Sequence, residues 1–112
     1  MKNRILSVSY DRALLDTRHM LLTNAGFKAK SAVGFTAAIE LCRSGQFDLI
    51  ILGHSIPSKD KDAIMEQARK SSDAPVLALT RTGELNPDKA DHHLDAAEGP
   101  ESLIAKVNSI LK

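Results

Sequence analysis

The sequence has no tryptophan, one tyrosine and a single cysteine among its 112 residues. One cysteine forms no internal disulfide, so Cys42, set in a helical pattern, reads as a small buried hydrophobe in a chain suited to a reducing compartment. No apolar run approaches the roughly 18 residues that a membrane-crossing helix needs. The first residues reach polar Ser7 too soon to supply a signal peptide's apolar stretch, so the location is read as cytoplasmic. Neither sign of charge prevails: 15 basic residues stand against 14 acidic ones and are scattered, which argues against a nucleic-acid footprint. Neither a G-x-G-x-x-G nor a Walker pattern is present to cradle phosphates. Repeats, low-complexity tracts and linkers are lacking too. What is present, 43% apolar and 26% charged residues, is a globular composition. The length suits one unit spanning residues 1–112.

Apolar runs alternate with amphipathic stretches from end to end, a rhythm that predicts an α/β fold around a parallel sheet. Residues 5–8 form a short strand, after which Asp11 is placed to cap a helix with Leu14, Leu15, Leu21, Leu22 and Ala25 inward and Gly26 as its stop. Residues 27–33 make a weaker strand, of the kind found at a sheet edge, and 35–43 a helix of small and apolar residues. Residues 49–52 are apolar throughout, as in a central strand covered on both faces. Beyond Pro57, Ser58 or Asp60 is expected to cap a helix holding Ala63, Ile64, Met65 and Ala68. Residues 75–79 give a fourth strand and 91–95 a poor fifth, with a short polar stretch between them. Pro100 opens a closing helix with Leu103, Ile104, Val107, Ile110 and Leu111 inward.

In such folds ligands sit outside the carboxyl ends of the strands. That places attention on Ser9, Tyr10 and Asp11, on Gly53, His54 and Ser55, on Thr80 and Arg81, and on Asp95 and Ala96.

The segment "RILSVSYDRALLD" resembles the opening strand and acidic turn of the receiver domain of bacterial response regulators, the flavodoxin-like module of two-component signalling. "SAVGFTAAIELCRSGQFDLIILGHSIP" is similar to its second helix and phosphorylation strand, "APVLALT" to its fourth strand, and "ADHHLDAAEGPESLIAKV" to its fifth strand and last helix. The resemblance covers essentially the whole chain. It implies a three-layer α/β/α sandwich with a five-stranded parallel sheet in the order 2-1-3-4-5. The receiver reaction uses two acidic residues that hold magnesium, an acceptor aspartate that becomes an acyl phosphate, a Thr or Ser, and a lysine that clamps the phosphoryl group. Carried over, the acid pair falls on Ser9 and Tyr10, the acceptor on Gly53, the hydroxyl on Thr80 and the lysine on Ala96, with Ala97 where the family usually has proline. Only Thr80 keeps the family's residue type. Two further departures are a short connection between Thr80 and Ala90, implying a cut-down fourth helix, and Lys61 where a glycine is usual.

The resemblance thus implies a degenerate receiver, with no catalytic residue, metal or cofactor. It is expected to be no enzyme but a phosphorylation-independent interaction module, a monomer or weak homodimer. Its partners are proteins of a signalling pathway, not nucleic acid or membrane.

The alternative is an unorthodox phosphoacceptor or small-ligand sensor built from His54, Ser55 and Asp11. Neighbours on an extended segment point opposite ways, which makes a His54–Ser55 couple poor and favours ordinary side chains facing solvent. Asp11, His54, His92 and His93 lack the usual spacings of metal ligands and read as separate histidines beside a lone carboxylate. His93 holds the place of the family's switch aromatic, where an imidazole is suited to sensing pH. Tyr10 is expected to fill the room that an ion and phosphate would take, and Arg81 to reach Asp11 or Asp95.

Overall fold

The computed structural model describes residues 2–81 and 89–111. Its strands are β1 (Arg4–Ser9), β2 (Lys28–Val33), β3 (Leu49–Leu52), β4 (Val76–Thr80) and β5 (His92–Asp95). The helices among the described residues are α1 (Arg12–Asn24), α2 (Phe35–Arg43), α3 (Ser58–Ser71) and α4 (Pro100–Leu111), with a 3-10 turn at Ala96–Glu98 before the last. The strands lie in the order β2-β1-β3-β4-β5, and every pair is parallel. This is the flavodoxin-like order that the resemblance implied, built on the parallel sheet that the alternation of apolar runs predicted. The shortened fourth helix inferred between Thr80 and Ala90 falls mostly on residues outside those described.

Side chains alternate across each strand, and the sheet therefore feeds two cores. Leu6, Val8, Ile50, Leu52 and Val76 pack with Ala38 and Cys42 of α2 and Ile64, Met65 and Ala68 of α3. Ile5, Leu49, Ile51, Leu77 and Leu79 pack on the other face with Leu22 of α1 and Leu103 and Val107 of α4. All four residues of β3 are buried, as a strand covered on both faces must be. Cys42 is a free thiol in the first core, where burial pushes its pKa up to about 11 and keeps it an unreactive hydrophobe. Among the described residues no helix is long and apolar enough to cross a membrane.

Local signals set most helix ends. The Asp11 side chain accepts from the Leu14 amide at 3.2 Å, capping α1, and Gly26 takes φ +95° just beyond its end. Two expectations fail. The buried stripe of α1 is Leu15, Arg18 and Leu22, while Leu14 and Ala25 are exposed. At α3 the cap position belongs to Pro57, which offers no side-chain acceptor, and Ser58 and Asp60 lie inside the first turn. A proline fits there because the helix makes no use of its missing N–H, while its carbonyl accepts the Lys61 amide at 2.9 Å, and Asp60 favours the positive end of the helix dipole. Lys61 is buried in α3, its Nζ donating to the Leu79 carbonyl at 3.4 Å.

Asp91 fastens the start of β5 to β4. Its amide donates to the Val76 carbonyl at 3.0 Å, and its carboxylate accepts from the Val76 amide at 2.8 Å and pairs with Arg69 at 2.9 Å. Burial alone raises this carboxyl's pKa, but the Val76 amide, Arg69 and the charge of His92 outweigh it and hold the group below its ordinary value. Because the folded pKa is depressed, the stabilisation is complete above the ordinary carboxylate value and is lost as pH falls through the folded one. Asp91→Asn is expected to lose about 1 kcal/mol at neutral pH. Urea unfolding should show the difference narrowing below about pH 4.

Candidate functional site

The carboxyl edge of the sheet is closed by two hydroxyl groups, one at the end of β1 and one from the loop after β3. Ser9, the last residue of β1, accepts the Asp11 amide at 3.0 Å and shares a hydrogen bond with Ser55 Oγ at 3.1 Å. Ser55 Oγ in turn accepts the Tyr10 amide at 3.1 Å. Ser55 is thus not the solvent-facing loop residue that its sequence context suggested, but the clasp between the loops after β1 and β3.

Tyr10 lies half-buried against the core on the α2–α3 side, and its hydroxyl donates to Asp60 Oδ2 at 2.7 Å. Desolvation, helped by the Asp60 hydrogen bond and charge, raises the phenol well above its ordinary pKa, so the ring stays neutral. Tyr10→Phe removes one hydrogen bond to a carboxylate that keeps access to water. A loss of about 1 kcal/mol in unfolding free energy is expected by chemical denaturation.

Gly53 follows β3 directly, its amide bonded to the Val8 carbonyl at 2.9 Å. A Cβ built on it lies 2.8 Å from Arg18 Nη2 and 3.1 Å from the Val8 carbonyl oxygen. Arg18 reaches this place from the buried stripe of α1 and is only 6% exposed. Its Nη1 donates to Ser7 Oγ and to the Val8 carbonyl, each at 3.1 Å. Burial lowers its pKa to about 10, which still leaves the guanidinium charged at neutral pH. Where the resemblance puts an acceptor carboxylate, the chain therefore has a glycine with a cation laid against it.

The other expected residues are spread along the edge. Thr80 is buried at the end of β4, in register with Asp95. Asp95 accepts the Ala97 amide at 2.8 Å, capping the 3-10 turn that begins at exposed Ala96. His54 Nδ1 accepts from Arg81 Nε at 3.3 Å, so Arg81 turns to His54 and not to Asp11 or Asp95. His92 and His93 pair with Leu77 and Ala78 and so face opposite sides of the sheet. The side chains of Asp11, His54 and Ser55 serve different partners: the Asp11 carboxylate caps α1 at the Leu14 amide, His54 takes Arg81, and Ser55 Oγ meets Ser9 and the Tyr10 amide. Among the described residues no group of three or more His, Cys, Asp or Glu gathers. At the positions the resemblance gives to magnesium ligands stand Ser9 and Tyr10, whose hydroxyls do not fit a cation that wants carboxylate oxygens.

Sequence reasoning missed Arg18 altogether, and it named Asp60 as a cap and Lys61 as a departure from the family without foreseeing their contacts with Tyr10 and the Leu79 carbonyl. Arg18 had a signal, since Leu15, Arg18 and Leu22 follow helical spacing and set it on the buried stripe. The contacts of Asp60 and Lys61 had no signal, because only the tertiary fold brings the partners together.

No protein-family model matches the chain. Among curated proteins it is 29% identical to the regulatory protein VanRc of Enterococcus gallinarum, covering 100% of this chain and 51% of that protein. It is 31% identical to the probable transcriptional regulator ycf27 of Cyanidium caldarium, covering 90% of this chain and 42% of the relative. The chain thus spans about half the length of the curated relatives it matches. Among solved structures, the receiver domain protein (CheY-like) from Methanospirillum hungatei JF-1 superposes with a TM-score of 0.84 at 21% identity, covering 99% of this chain and 94% of that one. Chemotaxis protein CheY4 of Vibrio cholerae gives 0.77 at 22% identity, with 99% and 100% covered. At such identities the structural likeness speaks for the fold, and the curated relatives speak for the family. Sequence relatives and fold neighbours together support one assignment, a response-regulator receiver domain of the CheY-like kind.

Proposed function

We propose that this receiver domain serves two-component signalling without being phosphorylated, as a protein-interaction module and not as an enzyme. The observation that carries the reading is the Arg18 guanidinium packed against Gly53. Phosphoryl transfer to a receiver needs a carboxylate nucleophile and an exchangeable divalent cation beside it. Here the nucleophile position has no side chain, and a covalently fixed cation stands next to it. Ser9 and Ser55 spend their hydroxyls on joining two loops, which supports a surface held in one conformation. Partners are proteins of a signalling pathway that recognise this fixed surface, and the domain acts as a monomer or weak homodimer.

Incubation with acetyl phosphate or phosphoramidate and magnesium tests the reading by intact mass. The expected result is an unchanged mass. A stoichiometric phosphoryl adduct defeats it, and an adduct on the peptide "GHSIPSK" establishes the alternative, a substitute acceptor at His54 or Ser55.

A further inference from the structure

A cavity of about 240 Å³ opens between α1, the ends of β4 and β5 and the start of α4. Its walls are largely apolar, with Leu14, Leu21, Leu79, Leu94 and Leu103 prominent among them. The charged and polar groups are few: Arg18 and Thr17 from α1, His54 from the loop after β3, and Asp95. Thr17 spends its hydroxyl on the Ala13 carbonyl, and one Asp95 oxygen is taken by the Ala97 amide.

Arg18 stands apart. It is 6% exposed and meets no carboxylate of the described residues within ion-pair distance, although a buried cation is costly unless an anion compensates it. Only its Nη1 donates among the described residues, leaving Nε and Nη2 with three N–H bonds unused. No sealed side-chain nitrogen lacks a partner among the described residues, so these two atoms keep an opening. The cavity that Arg18 lines supplies one. His54 adds a donor, since its Nδ1 accepts from Arg81 and the neutral ring then carries its proton on Nε2.

We propose that this cavity is a binding site for a small organic monocarboxylate, whose carboxylate meets Arg18 and whose short apolar body lies among the leucines. A guanidinium with two free N–H directions matches a carboxylate's paired oxygens. The volume falls below the roughly 300 Å³ at which drug-sized sites begin, which favours an acid of one ring or a short chain over a nucleotide. Gly53 gains a second purpose: any side chain there would press on Nη2 and displace the ligand's counter-ion. The site is independent of the phosphorylation question, and its failure would leave the interaction reading untouched.

Phenylacetate, its amide and phenethylamine are the probes, titrated into the 15N-labelled chain and followed by amide shifts. Phenylacetate is expected to give saturable shifts in residues 14–21, 53–55 and 94–103, while the amide and the amine bind at least about tenfold more weakly, a difference of about 1.4 kcal/mol. Arg18→Met should abolish saturation. Leu14→Asp, a change at an exposed position on the rim, should weaken phenylacetate by a similar factor without disturbing the fold. No saturable shift at tens of millimolar, equal binding of acid and amide, tighter binding of the amine, or binding indifferent to Arg18→Met each overturns the proposal.

Discussion

Gly53→Val is expected to lower the unfolding free energy by about 3 kcal/mol, and Arg18→Ala in the same chain to restore about half of that loss. The cost is steric. Gly53 has no positive φ, so the backbone itself admits a side chain. The new Cβ would stand 2.8 Å from Arg18 Nη2, 3.1 Å from the Val8 carbonyl oxygen and 3.5 Å from Ser9 Cβ. Val8 belongs to a central strand and cannot retreat, and its carbonyl already accepts both the Gly53 amide and Arg18. Arg18 must move instead, giving up its bonds to Ser7 Oγ and the Val8 carbonyl. Overpacking of a closed interior costs about 1–3 kcal/mol, and a lost hydrogen bond from a charged donor adds about as much as its lower end. Truncating Arg18 removes the nearer contact but leaves the Val8 carbonyl, which is why the rescue is partial. A double-mutant cycle by urea unfolding checks this through a coupling energy of about 1 kcal/mol or more. Zero coupling would mean that the two side chains do not share the space.

How far the sequence announced this site depends on the kind of signal each residue carried. β3 was legible because four apolar residues in a row suit only a strand buried on both faces. Asp11 was legible because a cap is a local event, decided by a side chain and an amide three residues on. The edge order of β2 and the opening of α4 at Pro100 followed from equally local composition. The inward face of α1 was misjudged for a physical reason: apolar residues were assigned to the core and charged ones to water, so Leu14 displaced Arg18. An arginine has a long aliphatic stem, and the helix can bury it when a glycine just past the end of the facing strand leaves room for its head. Ser55 and Asp60 were hidden for another reason. Their partners, Ser9 and Tyr10, are more than 40 residues away in the chain and are met only after the sheet has formed.

The pair Ser7→Ala and Arg18→Met is expected to make the domain more stable, by about 1–2 kcal/mol at neutral pH. Burial lowers the proton affinity of Arg18 from the ordinary guanidinium value to about 10, which corresponds to about 3 kcal/mol of penalty on the charged form. A base with a lowered folded pKa is penalised wherever both states are protonated, so the full cost is present below about pH 10 and is relieved only above it. The bonds to Ser7 Oγ and the Val8 carbonyl offset part of that cost. Methionine keeps much of the stem's volume and adapts to irregular space. Arg18→Met alone should be close to neutral, because it strands the fully buried Ser7 hydroxyl at about 1–3 kcal/mol. Removing that hydroxyl in the same chain completes the exchange of a polar cluster for an apolar one, while the Val8 carbonyl keeps the Gly53 amide. Thermal and urea unfolding of the single and paired variants measure the difference. A paired variant less stable than the natural chain would show that the fold itself compensates the guanidinium. A gain would mark Arg18 as a residue held at the expense of stability, as binding sites commonly are.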